Sequence, residues 1–161
     1  MIRATLIATA ATMASTATAQ QAFVGVNITS WHVNASRDFN QNNIGLLAGM
    51  RWGEKLQYGF EAGFFQNSYN AKTTYALGFA DYPIAQIGAV QLRGGVWAGM
   101  FEYPAFTTKA YAKGLPIWGS YIGAAGLSAT ARLNKFDLQA KVTRGLTNAN
   151  AIVTLQMMRS F

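Results

Sequence analysis

From Gln20 onward the chain alternates apolar and polar positions with a period of two, the spacing of a pleated strand and not the 3.6 of a helix. Ile44, Leu46, Ala48, Met50 and Trp52 fall on one face of a predicted strand, with Gly45, Leu47, Gly49 and Arg51 on the other. Across Gly53-Glu54-Lys55, a tight-turn sequence, Leu56, Tyr58, Phe60, Ala62 and Phe64 oppose Gln57, Gly59, Glu61 and Gly63. Tyr75, Leu77 and Phe79 alternate with Thr74, Ala76, Gly78 and Ala80 up to Tyr82-Pro83, and Val90, Leu92, Val96, Ala98 and Met100 alternate with Gln91, Arg93, Gly95, Trp97 and Gly99. Phe136, Leu138, Ala140 and Val142 oppose Asp137, Gln139, Lys141 and Thr143, and Val153, Leu155, Met157 and Phe161 oppose Thr154, Gln156 and Ser160. Phe23 to Trp31 also reads as a strand, with either face inward, and Leu115 to Ala131 reads as one whose small residues leave its parity open.

The joins between these eight segments alternate in length. Val33–Asn43, Gln66–Lys72, Glu102–Gly114 and Gly145–Asn150 are long and polar, whereas Gly53–Lys55, Pro83–Ala85 and Leu133–Lys135 are short. Long loops at one end and tight turns at the other, joining strands of the ~9–11 residues that cross a bilayer at a tilt, predict an all-β fold. The expected architecture is an eight-stranded antiparallel up-and-down transmembrane β-barrel. Phe161 closes an alternating segment, like the terminal aromatic that barrel-insertion machinery reads, although Arg159 stands where an apolar residue is usual.

Composition narrows the class further. Of 161 residues 51% are hydrophobic and only 12% charged, yet no apolar run reaches the ~18 residues of a spanning helix. In lipid, only helices and closed barrels satisfy their backbone groups. Arg3, the weakly apolar stretch Ala4–Ala14 and Ala17-Thr18-Ala19 have the layout of a cleavable leader. The expected division is a signal peptide over 1–19 and an outer-membrane barrel over 20–161, reached by Sec-type export in a Gram-negative bacterium. No cysteine is present, so neither disulfides nor thiolate metal sites enter. The net charge of +7 is scattered, without the stripe or cluster of a nucleic-acid binder, and it suits anionic lipid headgroups at least as well. No metal or cofactor is expected.

With the apolar faces outward, the lumen receives Gly45, Gly49, Gly59, Gly63, Ala76, Gly78, Ala80, Gly95 and Gly99. Eight strands normally leave a lumen that side chains fill. Either bulky residues such as Trp97 fill it here, or the glycines leave a cavity for a slender apolar ligand such as an acyl chain. Glu61 and Arg93 both face inward and are expected to pair, because an unpaired charge in a dry lumen is costly.

The single histidine, His32, falls where the first strand gives way to its loop, and Asn67-Ser68 falls where the third does. Both lie at the same rim. A hydroxyl beside an imidazole is the minimal pair for acyl transfer: the imidazole takes the proton while the serine attacks or positions the acceptor. Inert neighbours at a loop mouth are the competing reading.

These residues resemble the lipid A palmitoyltransferases of the outer membrane. Ser30-Trp31-His32 is similar to their Thr-Trp-His segment, and Phe39-Asn40-Gln41-Asn42-Asn43 followed by Gly45 is similar to the Tyr-Asn-Glu stretch before their second strand. Gly63-Phe64-Phe65-Gln66-Asn67-Ser68-Tyr69 resembles the segment carrying their Asp-Ser pair and a following aromatic, and Lys113-Gly114-Leu115-Pro116 resembles a proline-containing stretch before their sixth strand. The resemblance implies a monomeric barrel that moves a palmitoyl chain from an outer-leaflet phospholipid to lipid A, with a rim site above an interior acyl pocket. It carries His32 and Ser68 over as catalytic residues, with Asn67 at the position of the family's Asp. Asn67 holds no negative charge to orient an imidazolium, a change that costs ~10⁴-fold in a serine-protease triad. The family's N-terminal amphipathic helix has no counterpart either, since only Gln20 to Ala22 precede the first strand. The alternatives are a lipid A esterase using the same His/Ser pair and a non-catalytic barrel that acts through its loops. An open pore is disfavoured because eight strands leave no channel.

Overall fold

A computed structural model describes residues 20–36, 38–103, 116–145 and 149–161. The expected leader, Met1–Ala19, and most of the segment resembling the family's proline stretch lie outside the described residues. The described residues form strands and turns without a helix: β1 (Gln20–Val33), β2 (Gly45–Trp52), β3 (Gln57–Gln66), β4 (Lys72–Ile87), β5 (Val90–Glu102), β6 (Ile117–Trp118), β7 (Tyr121–Leu133), β8 (Phe136–Arg144) and β9 (Ala151–Ser160). Neighbours pair antiparallel in the order β5-β4-β3-β2-β1-β9-β8-β7, and β5 pairs with β7 over its whole length, so the sheet closes on itself. β6 is a two-residue flap folded onto the start of β7. The wall is therefore an eight-stranded closed barrel, without the edges that invite aggregation.

The side chains are distributed inside out. Val24, Leu46, Phe60, Phe64, Val96, Leu127, Leu138 and Met157 are all exposed on the outer surface. Arg51, Glu61, Asp81, Arg93, Asp137 and Lys141 are buried in the lumen. On the outer wall the Arg159 guanidinium lies over the rings of Phe136 and Phe161, 5.8 and 5.4 Å from their centroids, which accommodates a cation in an otherwise apolar strand face.

Alternation gives the facing of β2, β3, β5, β8 and β9 correctly. β4 is reversed. Tyr75, Leu77 and Phe79, expected outside, point into the lumen, and Ala76, Gly78 and Ala80 lie outside. The physical reason is in the register. Tyr75 stands opposite Gly63, Phe79 opposite Gly59 and Leu77 opposite Gly99, so each large inward side chain of β4 has a glycine beside it. A Cβ on Gly59 would come within 2.8 Å of the Phe79 ring. The inward glycines thus make room for the large side chains beside them.

Other departures are local. The expected turn at Pro83–Ala85 is instead a register shift inside β4, which runs on to Ile87 and turns at Gly88, where φ is +57°. Asn134, at φ +56°, makes the turn before β8 where it was expected. The expected strand Leu115–Ala131 is split by Gly119-Ser120 into β6 and β7. Glu61 and Arg93 do face inward, but not as partners: Lys141 pairs with Glu61 and Asp81 with Arg93.

Candidate functional site

The site lies at the loop end of the barrel, and a bulge in β1 shapes it. Phe23 and Asn27 face the lumen, and unbroken alternation from them would turn His32 outward. Between Asn27 and Thr29 the pairing with β9 slips, leaving Ile28 as an extra residue. A bulge of this kind changes the phase of a strand. Ser30 and His32 consequently face the lumen while Trp31 stays outside.

The loop after β1 is folded back over this bulge by its amide side chains. The Gln41 carbonyl accepts from the Ser30 N–H at 3.1 Å and from Thr29 Oγ1 at 2.7 Å. Asn43 Oδ1 accepts from Ser30 Oγ, and Asn43 Nδ2 donates to the Gln66 carbonyl at 2.7 Å. The Asn40 N–H donates to the Ser68 carbonyl at 3.2 Å, and Asn40 Nδ2 donates to Asn70 Oδ1 at 2.7 Å. This ties the loop after β1 to the turn between β3 and β4. The Phe39–Asn43 stretch is thus a clamp joining the two segments that carry His32 and Ser68.

The clamp places the Phe39 ring flat on the His32 imidazole, with centroids 4.2 Å apart and planes at 16°. Tyr69 meets Phe39 edge-on at 5.6 Å. Among the described residues His32 Nδ1 has no hydrogen-bond partner although it is buried. Nearby, burial pushes the Tyr103 phenol up to about 12, with the neighbouring Tyr69 adding to the shift, so Tyr103 remains a hydroxyl donor at the mouth.

His32, Ser68, Phe39, Tyr69 and Tyr103 open onto a single cavity of about 100 Å³. Its walls are Phe65, Leu77, Trp97, Phe101, Ile122 and Ala124. At its floor Lys141 Nζ lies 2.7 Å from both oxygens of Glu61, and the Tyr75 hydroxyl donates to Glu61 Oε1 at 2.6 Å. Asn27 and Gln156 complete the floor.

The structure brings two of the three expected site residues, His32 and Ser68, to this cavity. Asn67 is buried and holds the turn between β3 and β4. Its Oδ1 accepts from the backbone N–H groups of Tyr69 at 2.9 Å and Ala71 at 3.0 Å, and its Nδ2 donates to Thr73 Oγ1 at 3.0 Å. The Phe39 lid and the Asn27/Gln156 floor did not emerge from the sequence pattern. The inward parity of Lys141, with Glu61 on the same side of its own strand, was the available signal for the charged pair. Neither the models of known protein families nor the curated proteins contain a match to this chain.

Proposed function

We propose that this barrel sits in the outer membrane of a Gram-negative bacterium and transfers a fatty acyl chain from a phospholipid of the outer leaflet to lipid A. The observation that carries the reading is that His32 and Ser68, delivered by separate segments, open onto one apolar cavity at the loop end. The inside-out distribution of side chains supports a lipid surrounding, since an apolar belt facing water would be strongly unfavourable. The resemblance to lipid A palmitoyltransferases at Ser30-Trp31-His32 and Gln66-Asn67-Ser68 supports the choice of substrates.

In this reading the acyl chain lies between Phe65, Leu77, Trp97 and Ile122, with its ester carbonyl at the rim. His32 takes the proton of the attacking hydroxyl, and Ser68 either attacks the carbonyl or positions the acceptor. The ester bond to the phospholipid breaks, its glycerol oxygen recovers the proton, and a new ester forms on lipid A. Phe39, stacked on the imidazole, shields it from water and fixes its plane.

A second reading has specific support. Asn67 is engaged in its turn, and among the described residues His32 Nδ1 has no acceptor to fix its tautomer. Both features favour a barrel that has kept the framework without the reaction. Mass spectrometry of lipid A from a Gram-negative host expressing the wild type, His32→Ala or Ser68→Ala separates the readings. Gain of one acyl chain with wild type alone is the expected result. Loss of a chain identifies an esterase, and unchanged lipid A beside a folded, outer-membrane barrel identifies the non-catalytic form.

A further inference from the structure

Among the described residues no carboxylate lines the cavity mouth that His32 shares. The chain has six Asp and Glu residues, and each has another place. Asp81 and Asp137 pair with arginines in the lumen, and Glu61 pairs with Lys141 at the cavity floor. Glu54 lies between β2 and β3, at the turn end. Glu102 accepts from Thr74 Oγ1 at 2.6 Å, and Asp38 is exposed; neither lines the cavity. The titratable groups that do share the mouth with His32 are Tyr69, Tyr103 and, at the end of β8, Arg144. Asn67, an amide, is taken up by its own turn. Yet an imidazole that accepts a proton becomes a cation, and the acyl-transfer reading, on which this inference rests, requires that cation to form.

What lies against the imidazole is the Phe39 ring, with centroids 4.2 Å apart and planes at 16°. A near-parallel stack sets the imidazole over the electron-rich face of the phenyl ring, and a cation within ~6 Å of such a face is attracted to it. The ring is held in that place. The next residue, Asn40, is bonded through its N–H to the Ser68 carbonyl and through its Nδ2 to Asn70 Oδ1, and Tyr69 meets Phe39 edge-on. We propose that the face of Phe39 stabilises the His32 imidazolium in place of a carboxylate, which makes Phe39 a positioning residue for the acyl transfer. The exchange is unequal. A partly desolvated cation–π contact favours the charged form about tenfold, whereas the carboxylate of a serine-protease triad is worth ~10⁴-fold in rate. A barrel that relies on the ring alone is therefore a slow acyltransferase.

The test changes the electrons of the ring while keeping its shape. Phe39 is exchanged site-specifically for mono-, di- and trifluorinated phenylalanine, which withdraw negative potential from the ring face step by step, with Phe39→Leu as the comparison. Because the chain has a single histidine, NMR of the refolded barrel follows the titration of His32 without ambiguity. The expected result is a titration midpoint that falls stepwise through the fluorinated series, by about one pH unit in total. In step with it, kcat for acylation of lipid A from phospholipid falls about tenfold while KM stays unchanged. A constant midpoint across the series overturns the proposal, and a loss confined to Phe39→Leu then assigns the ring a packing role. A rise in KM with kcat unchanged also overturns it, by placing the ring against the substrate and not the imidazolium. Should Phe39→Leu not fold, the fluorinated series decides alone. A midpoint that falls through the series in a wild-type barrel that acylates nothing keeps the contact between charge and ring and overturns the acyl-transfer reading alone.

Discussion

The two halves of the lumen are built on the same wall and hold opposite contents. Toward the turns, Asp137 sits between Arg51, at 2.6 Å, and Arg132, at 2.7 Å, with Gln57 accepting from Arg132 and Ser160 from Arg51. Arg93 there binds Asp81, Gln91 and the Lys55 carbonyl. This half is filled by charge held in a dense hydrogen-bond network. Toward the loops the inward residues are aromatic and aliphatic, and they leave a cavity. The Glu61–Lys141 pair lies between the halves, at the floor of the cavity. Filling stabilises one end, whereas the other leaves space for a ligand, so the two ends should respond differently to substitution.

The largest effect is expected at Asp137. Asp137→Ala leaves Arg51 and Arg132 facing each other in the lumen without the carboxylate they share, and breaking a buried pair by removing one partner costs about 3–5 kcal/mol. Urea unfolding of the refolded barrel should show that loss, and a cost under about 1 kcal/mol would mean that water reaches the turn half freely. Next in size is Lys141→Met, which strands Glu61 at the cavity floor. The double variant Lys141→Met/Glu61→Gln should recover most of the loss, since replacing both members of a buried pair is far milder than removing one. Failure to recover would locate the importance of Lys141 outside its pairing with Glu61.

The loop half should show the reverse balance of stability and function. Ala124→Phe places a ring in the cavity, where there is space, so it should change stability by no more than about 1 kcal/mol while removing most lipid A acylation. The matched change in the turn half, Ser128→Phe, drives a ring against Gly95 and should cost roughly 1–3 kcal/mol without altering the rim. Equal stability losses from both would erase the distinction between a packed and a hollow end.

How far the sequence reveals these halves depends on which contrast it carries. Where one face is apolar and the other carries Gln, Glu, Arg or Lys, as in β2, β3 and β8, period two sets the facing unambiguously. β4 has low polarity on both faces between Thr74 and Ala80, so nothing local distinguishes lumen from exterior; only pairing with the glycines of β3 and β5 does. The bulge at Ile28 also leaves no mark in composition, and it is what left the facing of β1 open. His32 and Ser68 could be placed at the rim because loop boundaries are legible. The Phe39 lid, the Asn27/Gln156 floor and the partners of Glu61 and Arg93 depend on contacts across the barrel, which a local pattern does not encode.

Asn67 offers the smallest expected effect and the sharpest question about the rim. If its role were that of a carboxylate-like partner for His32, Asn67→Asp should raise acyl transfer by orders of magnitude. The geometry points elsewhere: Oδ1 already serves the N–H groups of Tyr69 and Ala71, and an aspartate would keep both bonds and strengthen them. Only the donation from Nδ2 to Thr73 is lost, and the Thr73 hydroxyl can reverse it by donating to the new carboxylate. Stability is therefore expected to stay within about 1 kcal/mol of wild type, and the acylation rate within a few-fold, read by urea unfolding and by lipid A mass spectrometry on the same preparations. A large rise in rate would mean that the side chain leaves its turn to reach the imidazole, and that the clamp of Phe39–Asn43 is looser than its hydrogen bonds indicate.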